Sequence, residues 1–221
     1  MRWIRSSIVI TARVFLALPL ILGAGFSQER QLAQDKDWKK LFDGKSLHSW
    51  RVTNFGGEGD VAVEEGQIIL AMGSDLTGIT WAEEFPSVSY EVTLEARRLA
   101  GNDFFCGLTF PVDKSPCSLI VGGWGGTVVG LSSIDGRDAS ENETGQLMNF
   151  EQGQWYLIRL RVTELKIEAW IDQKKVIDLA TAHHKISIRP EVELSRPFGI
   201  ASWRTKAALR EIKLRRIESE P

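Results

Sequence analysis

Histidine and cysteine are scarce in this chain, at three and two among 221 residues. No His-x-His or HExxH arrangement is present to support a zinc centre. His183 and His184 fall in a turn between KVIDLA and KISI, His48 falls in the segment LFDGKSLHSW, and none joins a Ser/His/Asp or Cys/His constellation. No glycine-rich stretch opens a helix, so GGWGG (122–126) is not a nucleotide loop. Charge of one sign is also lacking. The formal net charge is −2 with no basic cluster, so nothing points to nucleic acid or an anionic membrane as a partner. Beyond residue 22 there is no long apolar run.

The first residues are different. Arg2, Arg5 and Arg13 precede and interrupt an apolar run over 14–22, and small residues follow over 23–27. This is the layout of a secretory signal peptide over 1–27. The alternative is a retained anchor, but the run is shorter than the ~20 residues that span a bilayer. No cysteine stands near the cleavage region to carry a lipid anchor. The expected location is therefore secreted or periplasmic, with no membrane contact after cleavage. Losing three arginines and no acid takes the charge from −2 to about −5. Residues 28–36 form a polar lead-in, and 37–219 a single domain. The oligomeric state has no sequence signal. Two cysteines in an exported chain invite a disulfide. A hairpin turning over 112–115, however, sets Cys106 opposite Val121 and not Cys117, so pairing stays open.

Helical periodicity is nearly absent, apart from one turn expected near Asp35–Leu41. Period-two alternation dominates. Val88, Tyr90, Val92, Leu94 and Ala96 share one face of a segment whose other face is polar. Tyr156, Ile158, Leu160 and Val162 do the same, as do Ile167, Ala169 and Ile171. About a dozen short strands follow one another, KISI (185–188) among them, separated by Gly, Asp and Asn turns. The fold class is all-β, a two-sheet antiparallel sandwich or jelly roll.

Four segments carry a resemblance: WKKLFDGKSLHSWRV (38–52), GDVAVEEGQIIL (59–70), GQWYLIRLRVTELKIEAWIDQKKVID (153–178) and AALREIKLRRI (207–217). Together, in this order, they resemble the 3-keto-disaccharide hydrolase domain family. The resemblance implies a concanavalin A-like jelly roll and an exported bacterial carbohydrate-active protein. It also implies cleavage of glycosides oxidised at C3, where the ketone acidifies the C2 proton and elimination expels the anomeric leaving group. Such chemistry needs a base near C2 and an acid near the glycosidic oxygen. The chain departs from the family in two places. GNDFFCGLTF (101–110) lacks the arginine that follows the aromatic residue in relatives. FGIASWRT (198–205) has Trp203 and Arg204 where relatives carry Gln and a nearby His. The implied fold carries over, and the implied catalytic residues do not.

Three groups of residues are candidates for the chemistry. A turn at Glu164–Leu165 sets Arg161 opposite Glu168 and Arg159 opposite Trp170, a stacking ring among charges that suits a sugar or a solvated ion-paired face. In SIRPEVELSRP (187–197), alternation would put Arg189, Glu191 and Glu193 on one side of an edge strand or extended loop, with paired carboxylates for acid/base work or a charge guard against aggregation. Finally, GGWGGTVVGLSSIDGRDASENET (122–144) offers Trp124 as a stacking platform and Glu141 and Glu143 as carboxylates. There, Asp135 and Asp138 with Glu141, Asn142 and Glu143 could surround a cation such as calcium, although the spacing is not that of an EF-hand, and the alternative is a connecting loop with no ligand. No other cofactor is implied. The expected partner is a carbohydrate or glycoside. Catalysis would draw on Glu141, Glu143, Glu191 and Glu193, and substrate binding on Trp124, Arg159, Arg161, Glu168, Trp170, Arg189 and Trp203. A non-catalytic, lectin-like binding module and an envelope interaction domain are the alternatives. Asn142-Glu143-Thr144 also matches a glycosylation acceptor.

Overall fold

The computed structural model describes residues 37–218. The proposed signal peptide and lead-in lie outside the described residues. Alternation becomes architecture directly. Tyr90, Val92, Leu94 and Ala96 are fully buried, as are Ile158, Leu160, Ile167, Ala169 and Ile171. Two antiparallel sheets face each other across this core.

The first sheet has eight strands. Its order is β13 (Lys174–Ala180), β12 (Lys166–Ile171), β11 (Tyr156–Val162), β6 (Tyr90–Ala100), β15 (Lys206–Arg216), β4 (Gln67–Leu70) and β3 (Val61–Glu64). A two-residue β1 (Lys39–Lys40) pairs with β15. The second sheet has seven strands. Its order is β10 (Gln146–Leu147), β9 (Val128–Ser132), β8 (Ser115–Gly123), β7 (Cys106–Val112), β14 (Gly199–Trp203), β5 (Leu76–Trp81) and β2 (Trp50–Val52). In each sheet a late strand enters between early ones: β14 between β7 and β5, and β15 between β6 and β4.

The opening segment LFDGKSL is a turn that closes the sandwich. Leu41, Phe42 and Trp50 are buried, and the Trp50 indole donates to the Leu41 carbonyl at 2.8 Å. The Asp43 carboxylate accepts the amides of Lys45 and Ser46 at 2.8 and 2.9 Å. Those bonds, Ser46 first, hold its carboxyl below the usual range.

The hairpin register from the turn at 164–165 is as expected, with Arg161 opposite Glu168 and Arg159 opposite Trp170. Cys106 pairs with Val121 and Cys117 with Phe110. No disulfide forms; both thiols are buried and free, and burial pushes each up to about 12.

Three expectations are corrected. The helical turn near Asp35–Leu41 is instead, in its described part, the strand β1, because Lys39 and Lys40 find edge partners in Leu214 and Lys213. KISI is not a strand; only Ile186 makes a bridge, to Ile134. SIRPEVELSRP is not an edge strand. Pro190 opens a 3-10 turn over Pro190–Ser195, with Arg189 still extended. Three residues per turn set Glu191 and Glu193 on different sides, so the pair predicted from alternation does not exist. Proline's fixed φ suits the first position of such a turn, and only its coincidental polar–apolar pattern mimicked a strand.

Candidate functional site

The outward face of the seven-stranded sheet carries mostly small side chains: Gly107, Thr109, Ser118, Gly130, Ser132 and Ala201. Other segments therefore come down onto it closely. At Gly107 a Cβ would stand 2.8 Å from the Phe104 ring, a clash that only glycine avoids. Phe104, the 122–127 turn and the 3-10 turn rise around this floor. They enclose a cleft of about 280 Å³.

Ser118, Ile120 and Ser132 form the floor of the cleft. Phe104, Trp124 and Trp203 supply aromatic walls, with Phe104 and Trp203 ring centres 6.4 Å apart. Asp103, Arg189 and Glu191 supply the charges. Trp124 is 41% exposed and adopts φ +47°, a left-handed conformation costly for a bulky residue. Arg204, next to Trp203, is likewise left-handed at φ +43° and pairs with Asp75 at 2.7 Å. Two of the aromatic walls thus stand at strained corners.

The charges interlock. Arg189 Nη2 and Nε donate to the two oxygens of Glu191 at 2.7 and 3.3 Å, while Nη1 donates to Asp138. The guanidinium bond, before any other cause, draws the Glu191 carboxyl below its ordinary range. Asp138 is fixed in turn by the hydroxyls of Ser132 and Ser133, at 3.2 and 3.3 Å from Oδ1. Asp103 Oδ1 accepts the Phe104 amide at 2.7 Å, and the Asp103 amide donates to Thr205 Oγ1 at 3.1 Å.

Not every candidate residue reaches this cleft. Trp124, Arg189, Glu191 and Trp203 converge there. Glu193 points elsewhere and pairs with Arg196 at 2.5 Å. Glu141 is exposed and lines neither the cleft nor its neighbouring hollow. Glu143 and Asp135 border that hollow, about 350 Å³ in volume, and flank His184. His184 Nδ1 lies 2.8 Å from Asp135 and Nε2 lies 3.3 Å from Glu143. Asp135 also accepts the Lys185 amide, the main cause of its lowered pKa. Asp135 and Asp138 thus have protein partners, and no group of three or more His, Cys, Asp and Glu gathers as a metal site among the described residues.

Arg159, Arg161, Glu168 and Trp170 do cluster, but on the outward face of the eight-stranded sheet. The Arg159 guanidinium lies 3.8 Å from the Trp170 ring centre, and Glu168 pairs with Lys175 at 2.5 Å. These contacts occupy the ring that a sugar would stack on. The acceptor Asn142 is also engaged: its Nδ2 donates to the carbonyls of Leu131, Arg137 and Asp138.

Sequence reasoning missed Asp103 and Phe104 as cleft residues, although GNDFF was singled out as a departure. It also missed Arg98 of β6. That side chain crosses the interior at 7% exposure and donates through Nη2 to the carbonyls of Gly122 and Gly126 at 3.2 and 2.9 Å. Its signal was an arginine at an inward position of an alternating strand.

Two packed antiparallel sheets with an aromatic, charged cleft on one outward face define a jelly-roll domain. A family model described as the 3-keto-alpha-glucoside-1,2-lyase-like domain matches residues 37–215, and the chain belongs to that family. Among solved structures, one reported for endo-acting O-glycanases of the human gut microbiota is 14% identical, with a TM-score of 0.55 over 81% of this chain and 100% of its own. A Crh5 transglycosylase in complex with NAG is 14% identical, at TM-score 0.57 over 83% of this chain and 85% of its own. A protein of unknown function with a galectin-like fold from Bacillus subtilis is 10% identical, at 0.59 over 83% and 96%. At these identities the likeness shows the fold alone. No curated protein matches the sequence.

Proposed function

We propose that the cleft binds a glycoside and that the chain cleaves it by carboxylate acid/base chemistry, with a sugar oxidised at C3 as the reactive form. The observation that supports this is the convergence of three aromatic rings with Asp103, Arg189 and Glu191 in one cleft. Aromatic faces hold the apolar face of a pyranose, and charged groups bond its hydroxyls.

The roles follow from the state of each group. Glu191, kept ionised by Arg189, is suited to be the base that takes the C2 proton. Electrons from the C2–H bond move onto the C3 oxygen. Of the five N–H groups a guanidinium carries, three of Arg189 are engaged, which leaves two for that oxyanion. Collapse of the enolate forms the C1–C2 double bond and breaks the bond from C1 to the glycosidic oxygen, which takes the proton that Glu191 removed from C2 and leaves that carboxylate ionised again. Water then adds its hydroxyl to C1 and a proton to C2. We place this activity outside the cytoplasm because residues 1–27 have the layout of a signal peptide.

The test is incubation of the full chain with 3-keto-trehalose and quantitation of free 3-keto sugar, with Glu191→Gln alongside. Release by the wild type and its loss in the variant is the expected result. A second reading, a binding module without turnover, is favoured by one observation: both oxygens of Glu191 are already bonded to Arg189. No release together with measurable trehalose binding would establish that reading instead.

A further inference from the structure

The 122–127 turn is closed by its own backbone, the Gly126 and Thr127 amides donating to the Gly123 carbonyl at 3.1 and 3.2 Å, but those bonds do not set where its tryptophan points. Gly122, Trp124, Gly125 and Gly126 all take positive φ, and the three glycines bring no side chain to brace the turn. What lies beneath it is Arg98, which comes from the eight-stranded sheet, the opposite layer of the sandwich. Its Nη2 binds the carbonyl before Trp124's immediate neighbour and the one two residues after Trp124, Gly122 and Gly126. The fit is close on both sides. A Cβ at Gly122 would stand 2.7 Å from Nη2, and one at Gly126 would stand 3.3 Å from Nη1 and 3.0 Å from the Asn102 carbonyl.

This is an uncommon use of arginine. No carboxylate pairs with it at contact distance, and its Nε has no hydrogen-bond partner among the described residues. The charge that acts on it is Asp103, whose attraction opposes the lowering of its pKa by burial. The other neighbour is the Phe105 ring, 5.3 Å from the guanidinium carbon. A buried arginine without a direct carboxylate partner is costly for stability. It serves two walls of the cleft at once, Trp124 through two carbonyls and Asp103 through charge.

We propose that Arg98 is a positioning residue of the cleft: it fixes the 122–127 turn from below and so sets the angle at which Trp124 meets a ligand. This rests on the reading of the cleft as a glycoside site. Arg98 touches no ligand itself. Its effect reaches the ligand through Trp124.

The test uses the full chain labelled with 5-fluorotryptophan, the Trp124 resonance being assigned with Trp124→Phe, and trehalose as the binding probe. Arg98→Met keeps the stem and removes the donors. Arg98→Lys is the gentler variant, since it keeps the charge but replaces the planar fork with an ammonium on a shorter reach. Both are expected to move or broaden the Trp124 resonance, to leave those of Trp38, Trp155 and Trp170 in place, and to weaken trehalose binding about tenfold. Trp124→Ala is expected to weaken it to a similar extent, and Arg98→Lys added to Trp124→Ala to cost less than a further twofold. A Trp124 resonance unmoved in Arg98→Lys, or losses that multiply in the double variant, overturns the proposal even if melting temperature falls. If the wild type binds no trehalose, the glycoside reading fails by itself, and the fluorine spectrum still decides the role of Arg98.

Discussion

The Arg189 guanidinium holds both oxygens of the Glu191 carboxylate and, at its other nitrogen, Asp138. Glu191 is thereby held below its usual 4.5. A lowered carboxyl pKa contributes stabilisation that is present above the usual value and lost as pH falls through the lowered one. Both side chains are almost half exposed, so solvent screens the pair and the consequence is one of ionisation more than of stability. Arg189→Gln is expected to return the Glu191 titration toward 4.5. The acid limb of turnover or trehalose binding then moves to higher pH. Identical acid limbs in the two proteins would mean that another group sets the limb.

The aromatic walls predict a sharp contrast between sites. Trp124→Ala or Trp203→Ala should weaken sugar binding about tenfold, the equivalent of about 1.4 kcal/mol. Trp170→Ala, Glu141→Gln and Glu143→Gln, all away from the cleft, should leave it unchanged. Calorimetric titration with trehalose measures both sets. A loss on removing Trp170 would move the binding surface to the other sheet.

Asn142 staples the 133–145 loop. Its amide nitrogen donates to three carbonyls, and its oxygen accepts from the Thr144 amide and hydroxyl at 2.9 and 2.6 Å. At about 1 kcal/mol net per bond, with some solvent compensation, Asn142→Ala should lower stability by about 2 kcal/mol, and the melting temperature by about 4–8 °C. Asn142→Asp keeps the acceptor and loses the donors, so it should be destabilised as well. Thermal unfolding followed by circular dichroism would register both. Unaltered melting in Asn142→Ala would show that the loop is held elsewhere.

The buried thiols predict chemical silence. With Cys106 and Cys117 each pushed up to about 12 and enclosed by core residues, neither should react with a thiol reagent at pH 8 in the native chain. Two equivalents should react after denaturation without reductant. Fewer than two would reveal a disulfide.

Strand content was legible because a sheet with one buried face writes period two into the chain, as Tyr90 to Ala96 show. The register of Arg159 on Trp170 was legible because a two-residue turn leaves it little freedom. The cleft was not. Asp103, Trp124, Arg189 and Trp203 meet only because β14 inserts between β7 and β5, an order of strands that local pattern does not contain. Glu191 was found for the wrong reason. Alternation placed it beside Glu193 on a strand, whereas Pro190 turns the backbone and aims it at Arg189.

The late insertion of β14 also bears on how the chain is made. Until residues 199–203 emerge, β5 and β7 each present an unpaired edge, and the cleft lacks the wall that Trp203 provides. Exposed edges of this kind recruit other chains. The half-made protein is therefore at its stickiest just before it acquires the site, and pairing of β14 both closes the sheet and completes the cleft.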